Sequence, residues 1–204
     1  ESVAPVYGSR MGPVNAGWGT TFNEYAVVSE NRVTPIPADV DPEVAALLGC
    51  AVTTGFGVVT NDARLGIGQS IAVFGAGGIG LNIVQGAALA GGHPIIAIDR
   101  FANRLELARS LGATHAIDTT TADVAAEIGR IVGAEGVDVA VDNTGNVEVI
   151  ALASRLTSAR GRTVLVGVPP HGSTAAIATL PLHFEKRIAG SHGGGSQPDG
   201  DIPR

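Results

Sequence analysis

The chain has 204 residues, with 13 Lys+Arg against 19 Asp+Glu, a formal net charge of −6 and 45% hydrophobic residues. That length makes one full domain with room for pieces of a second, and only 16% of residues are charged, which excludes a disordered, charge-rich chain. The acidic balance lacks the basic face that phosphate neutralisation needs, so nucleic acid is not an expected partner.

Residues 1–40 read as irregular and turn-rich, with one strand pattern at 21–28 (TFNEYAVV). Asp41-Pro42-Glu43 reads as a helix start, with Asp as N-cap, Pro in the first turn and Glu beside it. An apolar run follows at 44–48; Gly49 and Cys50 interrupt it, and a second helical stretch is expected at 53–59. From Ser70 the texture changes to short aliphatic runs alternating with helical patterns. Strands are expected at 71–74, 95–98, 115–117, 137–141, 163–166 and 188–190, and helices at 78–90, 103–111, 122–132 and 147–156. Val124, Ile128 and Ile131 form one apolar stripe, and Val149, Leu152 and Leu156 another. Thr121 and Asn146 are expected N-caps, with Gly112 and Gly133 as C-terminal stops. Strands alternating with helices at this spacing predict βαβ units, hence a parallel sheet covered on both faces.

Cysteine and glycine usage narrow the class further. One cysteine excludes an internal disulfide framework and a four-thiolate zinc lobe. A lone thiol also fits a reducing, cytoplasmic location. The start, ESVAPVYGSR, has neither a basic nor an apolar leader segment. The most apolar region, 71–98, is broken by Asn82, Gln85 and His93, so it is not expected to span a membrane. Glycine supplies 29 of the residues, about twice its usual ~7% share, which predicts many tight backbone approaches. The chain begins at Glu1 and ends at Arg204, and it reads as a piece of something longer.

The sharpest motif runs Ile71-Ala-Val-Phe-Gly75-Ala-Gly77-Gly78-Ile79-Gly80, a strand passing through GxGxxG into a helix. Gly75 permits the tight turn, Gly77 lets backbone approach a pyrophosphate, and Gly80 lets helix and strand pack closely. The helix N-terminus turns unpaired N–H groups and a positive dipole end toward the phosphates. Asp99 closes the next strand, 19 positions after Gly80, near the ~20-residue offset of a carboxylate that accepts from a ribose 2′-hydroxyl. A glycine turn of another α/β protein and an N-cap role for Asp99 are the plainer readings. Methyltransferases and flavoproteins share parts of the pattern. Strand, glycines, helix, strand and acid together point to a dinucleotide.

The run 45–58 (AALLGCAVTTGFGV), the glycine turn, Asp99, the stretch 107–115 (LARSLGATH), Gly136-Val-Asp-Val and Val164-Leu-Val-Gly-Val-Pro169 resemble the zinc-containing medium-chain alcohol dehydrogenases. The resemblance covers roughly residues 20–200. It implies a doubly wound α/β fold (Rossmann) with a six-stranded parallel sheet, strand order 3-2-1-4-5-6, and a partial, mostly β flanking segment. It divides the chain into a catalytic-domain remnant (1–52), an NAD-binding domain (53–190) and a cut-short return to the catalytic domain (191–204). It also implies that Cys50 is one ligand of a catalytic zinc and that Thr54 lies beside the nicotinamide, with Ile79 behind its ring. Asp99 and Arg104 match the adenosine-ribose contacts, and Arg100 is placed to stack on adenine or meet a phosphate. Asn143, Thr144 and Asn146 match the segment lining the coenzyme crevice. Val166, Val168, Ser191 and Gly193 match positions that hold the nicotinamide side.

The implied activity is hydride transfer between a small alcohol and NAD, with zinc polarising the alkoxide in the intact enzyme. This chain departs from the family in lacking an earlier Cys, a Gly-His-Glu segment and four clustered Cys. It is therefore expected to bind NAD without alcohol turnover and without stoichiometric zinc. A zinc-free quinone or enoyl reductase using NADPH and a non-catalytic dinucleotide-binding module are the alternatives; Cys50 and Asp99 speak against the first. A homodimer is expected through a sheet edge near 173–179 (STAAIAT), whose small residues carry no charge. For Cys50 taken bare, a small buried residue is the plainer expectation. His93, His115, His171, His183 and His192 show no ligand spacing; His115 is expected to pack in its strand and His192 to lie near the nicotinamide end. Asp138 and Asp142 are not read as a catalytic pair. Asp142 is expected to order the crevice turn.

Overall fold

The computed structural model describes residues 6–10, 12–15, 24, 28, 30 and 33–202. The strand expected at 21–28 lies outside the described residues, apart from Glu24 and Val28. Val6–Ser9 (β1) and Gly12–Asn15 (β2) form an antiparallel hairpin inside the stretch read as irregular. Gly8 interrupts the first strand and Gly12 and Pro13 open the second, which hides the period-2 pattern.

Asp41 caps the first helix as expected, its carboxylate accepting from Glu43 N–H at 2.8 Å. The break expected at Gly49-Cys50 does not occur. One helix runs Pro42–Asp62, from α1 (Pro42–Leu47) through a widened π turn at Leu48–Val52 into α2 (Thr53–Gly57) and a second π turn at Val58–Asp62. Gly49 weakens a helix by only ~1 kcal/mol, and the wide turns keep the backbone hydrogen-bonded through the suspected interruption. By length and composition this helix could cross a membrane. Its second half is built into the core instead: Thr54, Gly55, Gly57, Val58 and Val59 are buried.

The six remaining strands form one parallel sheet. They are β3 (Ile71–Phe74), β4 (Ile95–Asp99), β5 (His115–Asp118), β6 (Val137–Asp142), β7 (Thr157–Leu165) and β8 (Arg187–Gly190), in the order β5-β4-β3-β6-β7-β8. Counted along the sheet strands alone, this is the expected 3-2-1-4-5-6. The fold class is thus a doubly wound α/β sheet. Register runs Ile71 against Ile95 and Val139, and Phe74 against Ile98 and Asp142. Alternate residues feed opposite faces. Ile71, Val73, Val139 and Val141 pack under α3 (Gly78–Leu89), α4 (Ala102–Ser110) and the Pro42–Asp62 helix. Ala72, Phe74, Ile96 and Ile98 face α5 (Val124–Val132) and α6 (Val147–Leu156). Ile128 is buried with Val124 and Ile131 packed around it, and Val149, Leu152 and Leu156 edge the same core.

Three local expectations are corrected. Asp123, not Thr121, caps α5, accepting from Ala125 N–H at 2.9 Å and Ala126 N–H at 3.2 Å. The Thr121 hydroxyl points back and donates to Asp118 O at 3.5 Å. His115 is exposed, with Nδ1 at 2.9 Å from the Thr114 hydroxyl; near the outer edge of the sheet no layer covers it. Strand β7 begins six residues early, through a bulge between Val137 and Val139, because the polar 157–162 conceals a strand from its sequence. Asn146 caps α6 (2.8 Å to Glu148 N–H) and Gly133 ends α5 at φ +80, both as expected. Residues 173–179 join no ladder. The edge strands of the sheet are β5 and β8, and on β8 Arg187 supplies the charge that 173–179 lacks. Two short helices, α7 (Leu180–His183) and α8 (Pro198–Asp201), flank β8.

Candidate functional site

Strand order reverses between β3 and β6, whose outgoing connections turn to opposite faces and leave a crevice at the carboxyl ends of the strands. A cleft of about 780 Å³ lies there, lined by the glycine turn, the end of β4, Thr119 and the 143–149 segment. The turn is held from both sides. Gly75 N–H donates to Ile98 O at 2.8 Å, and Asn143 N–H donates to Phe74 O at 2.9 Å.

The three motif glycines answer to different demands. Gly75 has φ +92, a conformation that L side chains rarely adopt. A Cβ at Gly80 would stand 1.9 Å from Gly75 O, so the helix could not approach the strand. Gly77 is neither: its backbone is extended (φ −77, ψ −168), and a Cβ there would meet nothing within 4 Å. The protein's own packing does not require a bare residue at Gly77. The cleft beside it is where a missing side chain makes room.

Asp99 is only 7% exposed. Its Oδ2 accepts from Ala76 N–H at 2.7 Å, and its Oδ1 accepts from Arg100 N–H at 2.7 Å and Phe101 N–H at 3.0 Å. Arg104 Nη1 lies 3.6 Å from Oδ2. The carboxylate therefore fastens the end of β4 to the glycine turn. It is not the N-cap of α4, a position that Phe101 holds. Arg100 and Arg104 both lie over the Phe101 ring, at 4.8 and 4.7 Å from its centroid. Across the cleft, Asp142 is fully buried and orders the turn after β6, as expected. Its carboxylate accepts from Thr144 N–H (3.1 Å), the Thr144 hydroxyl (2.6 Å) and Gly145 N–H (3.0 Å). Near Thr119, the Thr120 hydroxyl and backbone N–H hold the Asp118 carboxyl below its usual range.

The family model described as zinc-binding dehydrogenase matches residues 78–203. The chain belongs to that family. It is similar to the S-(hydroxymethyl)glutathione dehydrogenase of Synechocystis sp., with 38% identity over 187 residues, 90% of this chain and 50% of that protein. Among solved structures, benzyl alcohol dehydrogenase from Acinetobacter calcoaceticus superposes with a TM-score of 0.81 and 34% identity over 86% of this chain and 49% of that one. A Sinorhizobium meliloti 1021 chain solved bound to NADP gives a TM-score of 0.71 and 33% identity, over 76% of this chain and 46% of that one. The chain spans about half the length of these relatives.

In this chain the cleft gathers Gly75, Gly77, Gly78, Ile79, Gly80, Asp99, Arg100, Arg104, Asn143, Thr144 and Asn146. The other residues singled out from the sequence stand apart from its lining. Thr54 is buried where α2 meets the glycine-rich turn at 193–195, which it touches through backbone. Ser191 N–H donates to Leu165 O at 2.8 Å and its hydroxyl accepts from Gly194 N–H at 3.1 Å, so β8 leads straight into that turn. Val166 N–H donates to Asp142 O at 2.8 Å, which sets 166–168 beside the Asp142 turn, with Val168 itself 91% exposed. Gly193 and His192 are exposed. Phe101 was missed from sequence, although an aromatic flanked by arginines one position before and three after is the signal for a stacked cluster.

Cys50 is exposed on the π turn, which overturns the reading of a small buried residue. Among the described residues no three His, Cys, Asp or Glu side chains gather as a metal site requires. The residues described here do not make a zinc site.

Proposed function

We propose that this chain is the coenzyme-binding portion of an NAD-dependent dehydrogenase that exchanges hydride with a primary or secondary alcohol. The observation that carries the reading is the strand–GxGxxG–helix turn lining the cleft where the strand order reverses, with Gly75 at φ +92 and Gly80 packed against Gly75 O. Bound nicotinamide supplies the hydride acceptor. The N–H groups opening α3 and the dipole behind them hold the diphosphate. Asp99 and Arg104 face the adenosine ribose, Arg100 flanks the adenine, and Thr144 and Asn146 wall the crevice opposite. Ile79 presents an apolar surface to the ring. Thr54, Val166, Val168, Ser191 and Gly193 are assigned to the nicotinamide side on family resemblance. Cys50 is assigned to the parent enzyme's metal on the same ground. The further ligands that such a metal needs are not gathered among the described residues.

The same reading assigns 53–190 to the coenzyme domain and the flanks 1–52 and 191–204 to the catalytic domain. Two observations support it. No residue of α1 is buried, whereas burial starts at Thr54. The two flanks touch, Thr34 donating to Asp199 Oδ1 at 2.8 Å.

NAD is expected to bind more tightly than NADP. A 2′-phosphate at ~4 Å from Asp99 meets repulsion of about 4 kcal/mol per charge pair at an effective dielectric of ~20. Calorimetric titration with both coenzymes tests this, and equal or tighter NADP binding refutes it. In the same titration cell, alcohols added with NAD are expected to yield no NADH from this chain alone.

We also propose self-association at the free edge of β8, whose outward N–H and C=O groups are unpaired in the ladder. Sedimentation equilibrium is expected to show a dimer that Gly190→Pro dissociates, because Ser191 N–H points inward to Leu165 O and the N–H of residue 190 therefore faces outward. A monomer at every concentration removes the proposal.

A further inference from the structure

A second cavity, of about 380 Å³, lies where the end of the Pro42–Asp62 helix meets strands β7 and β8. It shares no lining residue with the coenzyme cleft. Three arginines line it: Arg64 just past the helix, Arg162 on β7 and Arg187 on β8. Asp62 is the one acid in its wall, so two positive charges stand in excess there, on a chain whose net charge is −6. Elsewhere Arg104, Arg130 and Arg160 each face a carboxylate. Among the described residues none of the three cavity arginines forms an ion pair.

The fold holds this cluster together against its own repulsion. Arg162 and Arg187 are direct partners in the parallel register of β7 and β8, and like charges so placed destabilise a sheet. Burial lowers the Arg162 pKa from its usual value; Asp138 opposes that shift and Arg187 adds to it. Arg162 is pinned in place, with Nε–H donating to Ala63 O and Nη2 to Arg64 O (3.1 Å) and Gln69 Oε1 (2.5 Å). Its Nη1 has no protein partner and is not among the solvent-shielded polar atoms. The carbonyls that Arg162 grips belong to the turn carrying Arg64. That residue has φ +47, where glycine is the ordinary choice after a helix. Of its guanidinium only Nε–H is engaged, on Asn61 O at 3.3 Å. Arg187 is exposed, and its side chain donates to none of the described residues.

The free donors set the ligand class. A guanidinium donates and never accepts, so the matching group carries acceptor oxygens and negative charge. A phosphate offers three or more oxygens and a charge near −2, equal to the excess in the wall, and guanidinium forks engage it bidentately. A carboxylate has two oxygens and one charge, too few for three forks. The volume falls in the range of small-molecule sites, which leaves room for what a phosphate is attached to.

We infer that this cavity is a phosphate-binding site separate from the coenzyme cleft, in which Arg64, Arg162 and Arg187 take the phosphate of a small molecule.

The test uses the 204-residue chain and its Arg187→Gln and Arg64→Gln variants, both at exposed side chains. Each protein is titrated calorimetrically with inorganic phosphate and with ribose 5-phosphate at fixed ionic strength, and sodium chloride serves as the screening control. The wild type is expected to bind phosphate, and each variant to bind it about tenfold more weakly, the effect of one lost charge-assisted contact. The tighter of the two probes names the source, an ester or the free ion. Without ligand, Arg187→Gln is expected to melt at or above the wild-type temperature, because the repulsion from Arg162 is gone. Added phosphate is expected to raise the wild-type melting temperature more than that of either variant. Equal affinity in all three proteins overturns the inference and puts the phosphate elsewhere, as at the glycine turn. Absence of binding, or a response that sodium chloride reproduces, also overturns it. An Arg187→Gln chain that melts lower yet keeps its phosphate affinity makes Arg187 a structural residue and refutes the site.

Discussion

Gly80→Ala is expected to destabilise the chain by about 3 kcal/mol or more, lowering its melting temperature by roughly 6–12 °C at this size. Gly77→Ala is expected to leave it within about 2 °C of wild type. The two residues sit three positions apart in one motif, and their backbones explain the difference. The new methyl at residue 80 would lie 1.9 Å from Gly75 O and 3.0 Å from its carbonyl carbon, both backbone atoms that no rotamer change can move. Relief would require α3 to lift from β3, opening the face where Ile83, Val84 and Ala87 are fully buried. At residue 77 the methyl meets no atom within 4 Å, and its φ/ψ suits any residue. The order inverts for ligand affinity. Gly77→Ala is expected to weaken NAD at least tenfold, since the methyl fills the space that a diphosphate needs against the α3 N–H groups. Thermal melts and calorimetric titration of both variants check the pair. Wild-type NAD affinity in Gly77→Ala would show that the ligand does not pass over that residue.

Legibility of the fold followed burial. Strands β3 and β4 are buried on both faces and therefore read as apolar runs, and β6 keeps the pattern apart from the half-buried Asp138, which also betrays a parallel sheet. The polar opening of β7 lacks such a run and carries no strand signal. Glycine and cysteine at 49–50 look like a stop inside the Pro42–Asp62 helix, and a π turn absorbs that irregularity without any sequence signature. Thr121 and Asp123 are both plausible caps in sequence. Only the turn built on Asp118, which engages Thr120 and Thr121, decides between them. In the cleft, glycine spacing and Asp99 were legible because their chemistry is fixed by position along the chain. The gathering of Arg64, Arg162 and Arg187 around a second cavity was not, since it depends on strand register and on where the Pro42–Asp62 helix ends.

Asp99→Ala is expected to reverse coenzyme preference and to lower stability by about 3 kcal/mol, two effects with one cause. In the wild type the carboxylate accepts from Ala76, Arg100 and Phe101 N–H groups. Ala76 is fully buried, so its N–H cannot turn to water when the acceptor is removed. Hydrogen bonds to a charged group contribute about 1.5–3 kcal/mol each where burial protects them, and less where they are exposed. The glycine turn loses the carboxylate's hold on Ala76 and keeps only the backbone bond from Gly75 N–H to Ile98 O, which loosens the seat of the diphosphate and weakens NAD. NADP responds differently. Arg100 and Arg104 remain over the Phe101 ring, and removing the acid leaves two guanidinium groups without an opposing charge beside the 2′ position. A 2′-phosphate is the dianionic partner that this pair fits. Asp99→Asn separates the two effects in part: its one amide oxygen accepts on one side, while its NH2 meets backbone N–H donors on the other and the charge is gone. It is expected to recover only part of the melting temperature and to keep the relaxed coenzyme choice. Melts and paired NAD and NADP titrations on the three proteins read both quantities. A variant that loses stability yet still prefers NAD would place coenzyme choice elsewhere in the cleft and leave Asp99 as a fastening of the turn alone.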